Sequence, residues 1–150
     1  MPHTVPSMPA DGPDFTRPAV QAHYIEQAAD HIERYGLHQG AYWPTTFGDN
    51  GLQIDDTFAP QMPCCTVGAI AVALDVHEPV DVDTKILGHD PYAAAEQPHP
   101  VLAALMHALC ATEVEQVFSW SDSARDDQVV ARLRYVAAQL RETAIPAQVA

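Results

Sequence analysis

The run P-C-C-T-V-G-A-I-A-V-A-L, residues 63–74, constrains the fold of this chain more than any other stretch. Placed on a helix, Val67, Ile70, Val72 and Leu74 point in nearly every direction, with alanines between them. A helix that is apolar all round must be enclosed by the rest of its fold. The run falls short of the roughly 18 residues that suggest a membrane span. It is therefore expected at the centre of a helical domain.

The flanking segments supply the enclosing layer. A helix is expected from about Arg17 to Tyr35, with Thr16 as cap, Pro18 in the first turn and Gly36 at the end. Val20, Tyr24, Ile25, Ala28, Ile32 and Tyr35 form its apolar stripe, opposite Glu26, Asp30, Glu33 and Arg34. Val101, Leu102, Leu105, Met106 and Leu109 predict another helix over 100–110. Val129, Val130, Leu133, Val136, Ala137 and Leu140 predict a last one, ending near Pro146. Ser123 with Asp126 matches the S-x-x-D/E capping pattern at its start.

The other connections are less regular. G-D-N-G at 48–51 has hairpin-turn chemistry, so a small β-hairpin is expected over 41–58, held to an edge by Pro44. Residues 75–90 read as an acidic connection, and D-P-Y-A-A-A-E-Q (90–97) as a helical turn capped by Asp90. Residues 1–15, with four prolines and no periodicity, read as a flexible leader, and 146–150 as a tail. The expected fold is mainly α. It is a single compact domain of four or five helices over 16–145, with the 63–74 helix inside and the hairpin over one side.

Composition narrows the function classes. Among 150 residues, 20 acids face seven bases, and the net charge of −13 repels phosphate backbones, so direct nucleic-acid binding is not expected. Three cysteines, two of them adjacent, make no disulfide framework and suggest reduced thiols in a cytoplasm. The N-terminus lacks both a basic start and an apolar core, so no signal peptide is read there.

The adjacent Cys64 and Cys65 raise the sharpest chemical question. A thiol in the first turn of a helix meets unpaired N–H groups and the positive end of the dipole, which favour thiolate. Cysteine is equally at home buried in an apolar core. A nucleophilic mechanism also requires a base, for which His38 and His31 are candidates, and an orienting group such as Asp122. His31 shares the stripe with Tyr24 and Tyr35, so it is expected to border the core and hydrogen-bond there. No metal-ligand spacing is present: there is no C-x-x-C, H-E-x-x-H or H-x₃-H, and no cofactor motif. Gln39, Tyr42 and Trp43 lie in a loop where aromatics either line a pocket or cover a core. Trp120, in W-S-D, is expected to staple a helix start.

G-L-H-Q-G at 36–40, C-x-x-G-A at Cys65, Gly68 and Ala69, and W-S-D at 120–122 together resemble a bacterial family of small proteins of unknown function. Its pattern is G-W-x-Q-G … C-x-x-G-A … W-N-D … V-x-x-x-L, and the similarity spans roughly residues 22–140. Leu37 stands where an aromatic is common, and Ser121 where asparagine is usual. The resemblance marks Gln39, Cys65, Gly68, Trp120 and Asp122 without giving them roles. Gly68 also has a physical reading. A helical glycine costs about 1 kcal/mol relative to alanine, so a neighbour is expected against it. The Trp120 ring is the expected neighbour, placing the motifs at one junction.

The leading expectation is a non-enzymatic module that binds a protein or small ligand, with a homo-oligomer left open. The alternatives are a cysteine-dependent hydrolase or acyl transferase using Cys65 or Cys64, and an acidic decoy that imitates nucleic acid.

Overall fold

The computed structural model describes residues 12–44, 59–89 and 97–144. Six α-helices are present among them: α1 (Pro18–Tyr35), α2 (Thr66–Ala73), α3 (Pro79–Asp81), α4 (Pro100–Ala108), α5 (Val114–Ser123) and α6 (Asp126–Ala144). A 3₁₀ turn (Ala59–Gln61) precedes α2, and α3 runs on into a π turn (Val82–Ile86). The mainly α expectation holds, with one or two more helices than expected. None of the described helices is long and apolar enough to cross a membrane.

The two long helices frame the domain. α1 and α6 pack along their length, and they run antiparallel, since Arg141 reaches Glu26 while Arg134 reaches Asp30 and Glu33. Their apolar stripes meet between them: Ile25, Ala28 and Ile32 on α1, and Val129, Leu133, Val136 and Ala137 on α6, are all buried. Ala22 and Ala29 are also buried, so the α1 stripe is wider than its large residues suggest. Gly36 ends α1 with φ at 99° and donates its N–H to Ile32 O. Such a backbone angle favours glycine.

α2 lies at the centre. Every residue from Thr66 to Ala71 is buried, and the helix packs on α1, α4, α5 and the π turn. It begins at Thr66, because Pro63 to Cys65 stay outside the helix. There Leu37 and Cys64 form an isolated parallel bridge, His38 N–H donating to Cys64 O and Cys64 N–H to Gly36 O.

Several expectations are corrected. Of the expected hairpin, residues 41–44 carry no strand, and 45–58 lie outside the described residues. The helical turn expected over 90–97 also falls largely outside them. Phe15, assigned to the leader, packs its ring 4.6 Å from His99 and 5.5 Å from Tyr24. Thr16 does not cap α1, since its hydroxyl is engaged with Asp14. The acidic connection is in part helical, as α3 and the π turn.

The largest difference is α5. Its capping box joins Glu113 and Gln116, and Val114, Val117 and Ser121 are its buried face. W-S-D therefore occupies the last turns of a helix rather than the start of the next one. Ser123 does not cap α6: its hydroxyl donates to Ser119 O within α5. At the start of α6, Gln128 Oε1 accepts from Arg125 N–H instead.

Candidate functional site

Three segments that are distant in sequence converge on one cleft. The loop after α1, the start of α2 and the end of α5 supply Gly40, Ala41, Tyr42, Cys65, Phe118 and Asp122, which line a volume of about 420 Å³. Backbone contact sets the spacing. Cys65 N–H donates to Tyr42 O at 2.9 Å, and a Cβ on Gly68 would lie 2.3 Å from that same oxygen. The neighbour that requires glycine at 68 is thus the Tyr42 backbone, not the Trp120 ring. The expected junction exists, but Trp120 stands apart from it, half-buried along a shallow groove with Leu109, Ser123 and Arg132.

Polar groups lock the third segment in place. Ser121 is buried, and its Oγ accepts from Thr66 N–H at 3.2 Å and from the Thr66 hydroxyl at 2.9 Å. Serine at this position thus ties α5 to the first turn of α2. Asp122, the next residue, is exposed and accepts from Gly40 N–H at 3.1 Å. Gln39 donates to Ala124 O at 3.2 Å, and Leu37 N–H to Asp126 at 3.1 Å. Gln39 is therefore a clamp between the loop and the α5–α6 turn and is absent from the cleft lining.

The aromatic residues divide. Trp43 is buried and belongs to the core. Tyr42 lines the cleft with its ring 6.1 Å from Phe118, and its hydroxyl donates to Asp83 in the π turn. Burial, and then the Asp83 carboxylate, push the Tyr42 phenol well above its ordinary range, so it stays a neutral donor.

The two thiols occupy different surroundings. Cys65 caps α2, its Sγ accepting from Gly68 N–H at 3.3 Å. That bond favours thiolate, but burial outweighs it and the Asp122 charge opposes it too, so the thiol is pushed up to about 11. Cys64 faces away, toward α1. It lies 3.3 Å from His31 Nε2 and 3.4 Å from Met62 O. Burial and then Cys65 push it up to about 12.

His31 Nε2 lies 2.7 Å from Met62 O. A carbonyl oxygen only accepts, so Nε2 carries a hydrogen. In that tautomer it cannot take the Cys64 proton. Burial also lowers the affinity of His31 for a second proton. The expectation that His31 hydrogen-bonds at the core edge is met. His38 contributes its backbone to the bridge and is not part of the cleft lining. Cys64, His31, Cys65 and Asp122 therefore do not assemble into one triad. Among the described residues no group of three or more His, Cys, Asp or Glu side chains could hold a metal.

Sequence reasoning missed Phe118 and the role of Asp83, and it marked Ser121 only as a departure from the resembled pattern, without its bond to Thr66. Val114, Val117, Phe118 and Ser121 do follow helical spacing, but a serine on the buried face hides the pattern. Asp83 stood in the sequence only as one acid of the connection over 75–90, and nothing in its spacing tied it to Tyr42.

A family model described as a family of unknown function (DUF6197) matches residues 16–139. The chain belongs to that family. No curated protein and no solved structure matches it.

Proposed function

We propose that this member of the family is a non-enzymatic module that binds a small ligand in the cleft between the post-α1 loop, α2 and α5. One observation carries this reading: residues from all three sequence motifs meet there around a space of about 420 Å³, within the usual size of small-molecule sites. The chemistry of its lining supports binding over group transfer. The Cys65 thiol is held protonated, and among the described residues no histidine lines the space. The three free cysteines support a reducing, cytoplasmic setting.

The test is a fragment library of mixed charge, followed by amide chemical shifts of the labelled protein. Hits should shift Gly40, Ala41, Cys65 and Asp122 together. A library that yields no such hit overturns the reading. So does fast iodoacetamide labelling of Cys65 below pH 7, which would return the cysteine to the role of nucleophile.

A further inference from the structure

The lining of the cleft also indicates what kind of guest it accepts, an inference that rests on the ligand-binding reading above. Among the described residues that line it, the one charged group is the Asp122 carboxylate, and neither lysine, arginine nor histidine joins it. Asp122 Oδ1 is engaged with Gly40 N–H, and the exposed carboxylate retains capacity for another donor. Tyr42 and Phe118 line the same space, with their ring centroids 6.1 Å apart. A carboxylate next to two aromatic rings is the surrounding that stabilises an ammonium group with an apolar body, since each ring face attracts a cation.

The competing feature is the start of α2, where free N–H groups would favour an anion. Those groups are already used internally. Thr66 N–H is bonded to Ser121 Oγ and Gly68 N–H to Cys65 Sγ. Tyr42 does not reverse the balance, because its hydroxyl hydrogen is directed to Asp83. The wall therefore offers negative charge and aromatic surface, with its strongest donors turned inward.

We infer that the cleft formed by Tyr42, Phe118 and Asp122 is a site for a small organic ammonium compound, held by the Asp122 carboxylate and the two ring faces.

Benzylamine, benzyl alcohol and benzoate share a ring and differ in charge, so titrating each at pH 7 by calorimetry and amide shifts tests this directly. Benzylamine should bind at least ten-fold more tightly than benzyl alcohol, and benzoate more weakly than either. Asp122→Asn keeps an oxygen for Gly40 N–H and removes the charge. It should bring benzylamine down to the level of the alcohol without changing the melting temperature. Phe118→Leu, which keeps apolar bulk, should weaken benzylamine more than the alcohol. Benzoate or benzyl alcohol binding in the cleft as tightly as benzylamine would overturn the ammonium preference while leaving the cleft a ligand site. If none of the three shifts the cleft amides while library fragments do, this inference alone fails. If the library also fails there, both fall.

Discussion

The α1–α6 pair and the junction around the cleft are built on opposite principles. The pair is two long helices whose apolar stripes press together, with ion pairs along an exposed edge. The contact is spread over many side chains, so each one matters moderately. The junction is short and depends on a few contacts involving the backbone itself: Gly68 against Tyr42 O, Cys65 N–H on the same oxygen, and Ser121 on Thr66. Side chains can adjust by rotating about their bonds, but a carbonyl held by a helix start cannot. Tolerance to change should therefore differ sharply between the two regions.

The largest effect is expected at Gly68. Gly68→Ala should cost about 3 kcal/mol through overpacking, and Gly68→Leu should abolish a cooperative transition in calorimetry. An alanine variant that melts with the wild type would remove the contrast between the regions. Ser121→Ala comes next. It leaves the buried Thr66 N–H without its acceptor, a loss of about 1–3 kcal/mol, readable as a lower urea midpoint. Unchanged stability there would show that the junction does not depend on this bond.

The pH profile sharpens the comparison further. Burial holds Cys65 at about 11 and Cys64 at about 12, against 9.0 for an unperturbed thiol. The unfolded chain therefore releases these protons first. Their stabilising effect is complete below pH 9 and is lost as pH rises from 9 through 12, by at most about 1.4 kcal/mol per pH unit for each thiol. A Cys64→Ala, Cys65→Ala double variant should make that alkaline limb shallower in urea titrations, leaving the part that the raised Tyr42 phenol contributes. On the acid side, burial holds His31 and His99 below 6.5. The unfolded chain takes up those protons first, so stability declines as pH falls below 6.5.

The smallest effect belongs to the pair. Arg134 makes contacts of 2.9 Å to Asp30 and 2.7 Å to Glu33, with all three side chains substantially exposed. Arg134→Ala should cost about 1 kcal/mol or less, and less again in high salt. A larger, salt-independent loss would show that the helix pair also relies on individual contacts.

The same contrast explains what was legible in the sequence. α1, α4 and α6 announce themselves because burial repeats at helical spacing, and α2 because it is apolar on every side. α5 was hidden by Ser121, whose polarity masks a buried position that is satisfied by Thr66. The site was legible in its parts: the cysteine, glycine and W-S-D motifs indicated a junction. The assignment of Trp120 as the neighbour of Gly68 failed because a glycine signals that something is close without saying what. Backbone from a distant loop leaves no mark on composition. The division of labour between the thiols was equally invisible, since adjacent residues outside a helix can face opposite ways.

The Tyr42 carbonyl, abutting Gly68 and holding Cys65 N–H, has a further consequence for any guest of the cleft. A carbonyl held by both contacts cannot shift without moving the start of α2. Little chain ordering would accompany association there, which favours affinity. Close analogues of a good ligand should then separate most steeply where they press on the backbone at Tyr42.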